Sequence, residues 1–422
     1  MGVRRVLNTL PSDVARAAES AQREHWGRVL AATLRLARDL DIAEEATADA
    51  FLLALQTWPD TGIPESVEAW LLTVARRRAV DRIRRAASLR ERLAAMTATE
   101  VAVSQCPEAE LVESALTDDE LRLAVLCCHP ALTTEAKVAL TMRLGCGATT
   151  SAIAAGFLVP QATMAARLPR AKKRLAGSGV NVEMPGDAAV EERMPAVRRA
   201  VRLAYALGHT AASGPDLRDD DLAARALHLA TALHRARPRD RESAGLLALL
   251  LLSQARASSR VQANGHQVLL EDEDRSRWDA PMTATGLRCS DFANSGGRRG
   301  PLASQAAIAA EHARASTFTV TDWPRIVRLY DELLVQEPSP TLALGRCLAL
   351  SYVDGPAAGL ADLDEVIAVS RLEGYCYSHA ARAQLLQRLG QSHDARRAWV
   401  RAASTARTDA ERRYFQSRAS RD

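Results

Sequence analysis

An aromatic ring and guanidinium groups share one face of the stretch from Ala69 to Arg85. At about 100° per residue, Trp70, Arg77 and Arg84 stand at heptad spacing on a helix. The opposite face carries Leu72, Ala75, Ala79 and Ile83. Opened DNA strands are held by base stacking over a cationic track, and stacking is worth roughly 1–3 kcal/mol per base. The spacing predicts an exposed aromatic residue on a DNA-opening surface, with a solvated charged face as the simpler alternative.

Two other clusters contain side chains that could bind a metal. Cys127–His129 are consecutive on a predicted helix, so their side chains diverge, and buried thiols are favoured over a tetrahedral site. The acidic run Glu271–Asp274 leads directly into Arg275 and Trp278, which favours internal salt bridges over a metal site. The sequence therefore predicts no metal and no cofactor.

The composition predicts an all-α protein. Of 422 residues, 47% are hydrophobic and only 4% aromatic, which favours packed helices in two or three domains. Seven cysteines without framework spacing indicate a reducing compartment. No run approaches the ~18 apolar residues of a membrane helix. We expect a cytoplasmic protein with no membrane contact.

A second basic helix is predicted at Gln161, after a short helix capped by Thr149 or Thr150. Its inward residues are Met164, Leu168, Ala171 and Leu175. A helix-turn-helix of this form places its second helix in the DNA major groove. The predicted DNA-contacting residues are Thr163, Arg167, Arg170, Lys172, Lys173 and Arg174. Pro169 interrupts the pattern and should kink this helix or weaken DNA binding.

The first basic stretch resembles region 2 of the extracytoplasmic-function (ECF) sigma factors of bacterial RNA polymerase. The resemblance lies in Asp49–Phe51, Trp58–Pro59, Ala69–Leu71 and Asp81–Arg85. It implies that Asp49 and Leu52 contact the β′ coiled coil of core RNA polymerase. It also implies that the -10 promoter element is bound by Ile63, Ser66, Trp70, Arg77 and Arg84.

The second basic helix resembles sigma region 4. The residues that carry this resemblance are Thr163–Leu168 and Arg170–Leu175. It implies recognition of the -35 promoter element and contact with the polymerase β flap. Promoter DNA and core RNA polymerase are therefore the expected partners.

The C-terminal half continues well beyond a two-domain sigma factor. Asp354–Pro356 and Leu389–Gln391 mark turns 35 residues apart, near the ~34-residue tetratricopeptide (TPR) period. With the run Leu270–Trp278, they resemble the ECF subgroup that carries a C-terminal TPR-like extension (ECF42-like). A regulatory protein bound to this extension is a further expected partner. Asn294–Gly297 predicts a loop over Cys289–Pro301.

The predicted organisation has five parts. They are sigma region 2 at residues 1–92, a linker at 93–117, sigma region 4 at 118–178, a linker at 179–195 and the helical extension at 196–422. The predicted function is promoter recognition without enzymatic activity, controlled by the extension. The alternatives are a one-component DNA-binding regulator with a TPR sensor domain and, from another class, an enzyme in the C-terminal half. No nucleophile, phosphate loop or metal-ligand spacing supports that enzyme.

Overall fold

The fold is helical in every part of the chain that the structure covers. The computed structural model describes residues 12–96, 119–157, 159–177, 186–211, 217–261, 267–370 and 372–420. These residues contain no β-strand, only an isolated antiparallel bridge between Val261 and Gln267. The predicted all-α class is confirmed. The chain divides into two compact units, Met1–Val201 and Arg202–Asp422.

Eight α-helices begin within the described residues of the first unit, and the last of them continues into the second. They are α1 Ser12–Ala37, α2 Leu40–Thr61, α3 Val67–Met96, α4 Asp119–Cys127, α5 Thr134–Leu140, α6 Thr150–Gly156, α7 Gln161–Gly177 and α8 Asp187–His209. None of the helices in the described residues is long and apolar enough to cross a membrane.

Helices α1, α2 and α3 pack around one apolar core. Its buried members include Val29, Ala50, Phe51, Ala54, Trp58, Leu71 and Ala75. Helix α2 starts at a defined point because the Asp39 carboxylate accepts hydrogen bonds from the backbone N–H groups of Asp41 (2.9 Å) and Ile42 (3.0 Å). It ends at Gly62, whose φ of +80° is accessible to glycine at little cost. These two ends fix the length of α2 and the point at which the loop to α3 begins.

The predicted helix-turn-helix consists of α6 and α7. The hydroxyl of Thr149 accepts the N–H of Ala152 at 3.1 Å, so the predicted cap is confirmed. All four predicted inward residues of α7 are buried: Met164, Leu168, Ala171 and Leu175. Helix α7 continues through Pro169, which lies on its exposed side.

The second unit contains ten further α-helices within its described residues. They are α9 Asp220–Ala236, α10 Arg241–Ala255, α11 Ala280–Asn294, α12 Pro301–Arg314, α13 Trp323–Gln336, α14 Pro340–Val353, α15 Pro356–Val369, α16 Cys376–Arg388, α17 Ser392–Thr405 and α18 Asp409–Ala419. From α9 onward, successive helices pack on one another.

Helices α10 and α12 approach closely at Gly245. A Cβ atom at this position would lie 2.7 Å from the backbone nitrogen of Ala303, closer than atoms of a packed core can come. Leu246 and Leu250 on the same helix are buried. Helix α10 is therefore a central element of the second unit, as its apolar sequence predicts.

The predicted loop at Cys289–Pro301 is wrong for its first six residues, since Cys289–Asn294 form the end of α11. The Asp279 carboxylate caps this helix by accepting the N–H of Met282 at 2.8 Å. The side-chain amide of Asn294 donates to the carbonyls of Ser290 (2.8 Å) and Ala303 (3.1 Å). A residue typical of turns thus completes a helix end.

Two predicted boundaries also shift. Helix α3 continues to Met96, beyond the predicted end of the first domain at residue 92. Helix α8 starts at Asp187, inside the predicted linker 179–195, because Val190 and Met194 are buried on one face of a helix. Residues 97–118 and 178–185, which hold parts of both predicted linkers, lie outside the described residues.

The two clusters considered as metal sites have other roles. Cys127 and Cys128 are buried thiols, as predicted, and burial raises the pKa of Cys128 to about 11. In the acidic run, Glu273 is buried and accepts hydrogen bonds from Arg256 Nε (3.1 Å) and the Ser259 hydroxyl (2.9 Å). The predicted internal ion pairing is confirmed at Glu273.

Candidate nucleic-acid interface

Helix α3 presents a row of free guanidinium groups. Arg77 and Arg84 are exposed, two turns apart, and neither makes a hydrogen bond or ion pair with another residue in the described part of the chain. The exposed side of α3 also carries Arg76, Arg78 and Arg85. Free arginines on one helix face provide an attractive surface for a phosphate backbone.

Trp70 is less exposed than the sequence predicts. Its ring packs edge-on against buried Trp58, with centroids 5.6 Å apart and planes at 62°. The side chain is half-buried and contacts the core of α1–α3. The prediction of an exposed aromatic residue is therefore corrected, because a large ring next to an apolar core gains free energy by covering it.

Arg82 joins α3 to α2. Its guanidinium donates to the Asp49 carboxylate at 2.7 Å and lies 3.0 Å from the Glu45 carboxylate. Asp49, a predicted polymerase contact, is therefore half-buried and ion-paired. Leu52, its predicted companion one turn further along, is 47% exposed and available to a partner.

The loop before α3 holds the two remaining residues of the predicted -10 site. Ile63 is 42% exposed and follows the turn at Gly62. Ser66 begins α3, since its carbonyl accepts the N–H of Trp70 at 3.1 Å and its hydroxyl accepts the N–H of Ala69 at 3.4 Å. The loop thus places Ile63 at the surface next to the first turn of the basic helix.

Helix α7 presents a second row of cations. The exposed members are Arg167, Arg170, Lys173 and Arg174, and Thr163 is half-buried at the start of the row. Among the described residues, no partner is recorded for any of these four cations. Because Arg167, Arg170 and Arg174 recur every three or four residues along one side of the buried stripe, they can face a DNA groove together.

Lys172 does not belong to this row. Its ammonium group makes a short hydrogen bond to the Glu44 carboxylate and lies 3.4 Å from the Asp41 carboxylate, both on α2. Burial works to lower its pKa, but the hydrogen bond to Glu44 and the charges of Glu44 and Asp41 outweigh it and raise the pKa above the ordinary value. The structure therefore places Lys172 against α2, apart from the other predicted DNA contacts.

Further contacts join α1 to α4 and to the turn after α5. A Cβ at Gly27 of α1 would lie 3.0 Å from a Glu120 carboxylate oxygen and 3.6 Å from the Gly145 carbonyl. Arg35 of α1 and Asp119 of α4 form an ion pair of 3.2 Å. The same region contains a cleft of about 100 Å³, lined by Leu34, Leu123, Leu126, Cys127 and Leu175. The contact is thus close at Gly27 and incompletely filled beside it.

Sequence reasoning missed the acidic side of these contacts. Glu44, Glu45 and Asp49 suggest only a favourable interaction with the helix dipole near the start of α2. In the structure they bind cations from α3 and α7. The sequence does contain a signal for these contacts: four acidic residues lie within nine positions of α2, and the chain has two basic helices that could pair with them.

Comparison with known proteins identifies one part of the chain. Residues 22–89, from within α1 through most of α3, match the model of sigma-70 region 2. The chain contains a sigma-70 region 2. This sigma-70 region 2 contains Asp49, the loop before α3, and the arginine row at Arg77 and Arg84. It implies core RNA polymerase and promoter DNA as partners.

The similarity to other proteins extends beyond region 2. Residues 193–294 match a family of unknown function, DUF6596. The chain is also 39% identical over 393 residues to an uncharacterized protein of Rhizobium meliloti (strain 1021), and the alignment covers 92% of each chain. No solved structure matches the chain. The similarity to that relative therefore includes most of region 2 and most of the long helical extension.

Proposed function

We propose that this protein is an ECF-type sigma factor. It binds core RNA polymerase, recognises the -35 and -10 promoter elements and initiates transcription of a specific set of genes, without enzymatic activity of its own. The observation that carries the proposal is the free arginine row of α3 inside a sigma-70 region 2. Such a row can hold the backbone of a separated DNA strand while nearby apolar and aromatic groups contact bases.

Within region 2, we assign each residue to a partner by the exposure of its side chain. Leu52 and the exposed part of the Asp49 side chain form the proposed contact with the β′ coiled coil. Ile63, Ser66 and the exposed part of Trp70 contact the -10 bases, and Arg77 and Arg84 contact the strand next to them. The half-buried position of Trp70 supports a role at the edge of the opened strand, where one side of the ring stays on the protein.

The proposed -35 contacts lie on α7. Exposed Arg167, Arg170, Lys173 and Arg174 support this assignment, with Thr163 at the start of the helix. Lys172 was predicted as a sixth contact; in this proposal it reaches DNA only after its bonds to α2 break. Contact with the β flap is assigned to the same helix-turn-helix.

The second unit is the proposed regulatory extension. Its α14–α15 and α16–α17 pairs support the TPR-like assignment, since Gly355 (φ +91°) and Gly390 (φ +75°) occur at corresponding turns. Ala395 and Trp399 are fully buried on α17. Helical repeats present surfaces suited to protein contacts, so a regulatory protein is a proposed partner of this cytoplasmic factor.

Run-off transcription with purified core polymerase tests the proposal. The templates come from genes induced by overexpression of the protein. We expect transcripts only when both the protein and the core enzyme are present. DNA binding without core-dependent transcripts would contradict the proposal and favour a one-component regulator.

The regulatory role needs a separate comparison. A chain that ends after His209 keeps α8 whole, including the hydrogen bond from Arg193 to the Val125 carbonyl at 3.3 Å. At matched concentration, we expect its transcription output to differ from that of the full chain. Equal output would remove the regulatory role of the extension.

A further inference from the structure

A groove of about 950 Å³ lies beside α17 in the second unit. Its lining comes from α15, α16 and α17, and it follows α17 from Gln391 to Arg401. At 1.5 Å per residue, this stretch of helix is about 15 Å long. Its cationic and apolar lining residues include Leu360, Leu386, Arg396, Arg397, Val400 and Arg401.

Two guanidinium groups at this groove have no partner among the described residues. Arg396 and Arg401 are exposed on α17, and neither guanidinium makes a hydrogen bond or ion pair within the part of the chain that the structure covers. Between them, the side chain of Arg397 is 75% exposed and lies 3.6 Å from the Asp394 carboxylate. Such an exposed ion pair holds its side chains only weakly. The groove therefore offers positive charge to a ligand.

Apolar side chains lie among these cations. Val400 is 56% exposed and follows Arg396 by one turn of α17. Leu360 of α15 and Leu386 of α16 line the same groove and belong to the apolar cluster built around Trp399. A ligand that covers Val400 removes apolar surface from water, which favours binding.

The end of the chain that contains α17 carries the net positive charge of the protein. Residues 391–422 contain eight arginines and four acidic residues, so their excess of four positive charges equals that of the whole chain at pH 7. The groove itself is lined by four arginines and one acidic residue, Asp394. A local excess of this kind attracts acidic partners and repels basic ones.

The lining favours a peptide over other anions. Small-molecule sites enclose about 70–90% of their ligand, whereas Arg396, Val400 and Arg401 are exposed. A nucleic-acid backbone brings phosphates to the arginines but no apolar side chain to Val400. An extended peptide advances about 3.3 Å per residue, so about five residues span the groove along α17. Carboxylates on either side of an apolar residue can then reach both unpartnered arginines.

We propose that this groove binds a short acidic segment of a partner protein, with an apolar residue between its carboxylates. The carboxylates pair with Arg396 and Arg401, and the apolar side chain covers Val400. Charge-assisted hydrogen bonds to a guanidinium are among the stronger contacts that an exposed site can make. The proposal deepens the proposed regulatory role of the second unit, and rests on it, by naming the chemistry of the partner.

Selection from a phage library of random peptides tests the chemistry of the ligand. The library is first exposed to the Arg396→Glu/Arg401→Glu variant, which removes peptides that bind elsewhere on the protein, and then to the immobilised full-length wild type. We expect the retained peptides to carry acidic residues on both sides of an apolar residue. Retention of no peptide, or of peptides without acidic residues, would overturn the proposal.

Fluorescence anisotropy with a retained peptide measures the role of the two arginines. Arg396→Gln/Arg401→Gln should weaken binding at least ~10-fold, because both carboxylates lose their cation. Arg235→Gln/Arg328→Gln removes the same charge at exposed positions of α9 and α13 and should leave the affinity unchanged. Equal weakening by both pairs would show a response to net charge alone and would overturn the site. Circular dichroism verifies that each variant is folded.

The apolar part of the proposal has its own measurement. Val400→Ser should weaken binding of the same peptide by roughly 3- to 10-fold, since less apolar surface is covered. Val335→Ser, at a side chain of α13 that is 81% exposed, is the matched control and should have no effect. Unchanged binding by Val400→Ser would contradict the proposed position of the peptide.

Two further results separate this proposal from its neighbours. Peptide binding needs neither core polymerase nor promoter DNA, so a protein that fails in run-off transcription contradicts the sigma function without affecting the peptide measurement. Weaker binding of duplex DNA by Arg396→Gln/Arg401→Gln, with no peptide retained by the wild type, would overturn the proposal and indicate a nucleic-acid site.

Discussion

The two basic helices of the first unit use their charges in the same way, but at different distances along the chain. Each commits one cation to α2 and leaves a row of others free: Arg82 on α3 and Lys172 on α7. Arg82 binds Asp49 from 33 residues away, between two helices that share the α1–α3 core. Lys172 binds Glu44 from 128 residues away, beyond a segment outside the described residues.

This difference separates an ion pair within one packed group of helices from an ion pair between two groups. The Arg82 pair is supported by the apolar core that α2 and α3 share, so it persists whenever those helices are folded. The Lys172 pair must hold a separate helix-turn-helix in place, and the entropy of closing a long loop opposes it. An ion pair to α2 can thus stabilise the α1–α3 core in one case and hold the helix-turn-helix against it in the other.

The largest expected effect concerns the free row of α3. Replacing both Arg77 and Arg84 with Ala should reduce promoter melting by roughly 10- to 100-fold, because the separated strand loses its cationic track. Permanganate reactivity near -10 measures the melting. Arg16→Ala, at an exposed site on α1, is the control. An equal loss of polymerase binding would mean that this row serves the core contact instead.

Arg82→Leu should break the structural pair. It leaves Asp49 and Glu45 without their cation, and because this pair is partly exposed we expect the α1–α3 core to lose about 0.5–1 kcal/mol of unfolding free energy. Hydrogen exchange of α2 and α3 amides in urea measures this loss. Lys172→Leu should leave the same amides unaffected. Similar destabilisation by both variants would show that the two pairs are equally structural.

The smallest expected effect is on DNA binding by α7, and it distinguishes the cations without a partner from the ion-paired Lys172. Arg170→Gln should flatten the salt dependence of duplex binding by about 0.9 in log–log slope, the value for one lost phosphate contact. Lys172→Gln should leave the slope unchanged, because the carboxylate of Glu44 already neutralises that ammonium group. Fluorescence anisotropy across a salt series gives both slopes, and equal changes would place Lys172 on the DNA.

Local periodicity accounts for the successful part of the prediction. Met164, Leu168, Ala171 and Leu175 are buried because a helix repeats every 3.6 residues, whatever it packs against. The cap at Thr149 likewise depends only on residues three positions apart. Such features can be read from a short window of sequence.

Features that depend on distant residues could not be predicted in this way. The depth of Trp70 is set by Trp58 on another helix, and the orientation of Lys172 by Glu44 far along the chain. Asn294 reads as a turn residue until the Ala303 carbonyl that it contacts is known. In each case the missing information was the partner, since the residue type allowed either outcome.

The close crossing at Gly245 also determines which sequences the second unit can tolerate. A methyl group there would have to push α12 away from α10, because the nearest atom is backbone and cannot rotate aside. At Gly374 the same methyl group would meet nothing within 4 Å. A library of random variants selected for a folded protein should therefore lose nearly every substitution at 245 while accepting many at 374, so that permitted variation follows helix spacing more closely than distance from any binding surface.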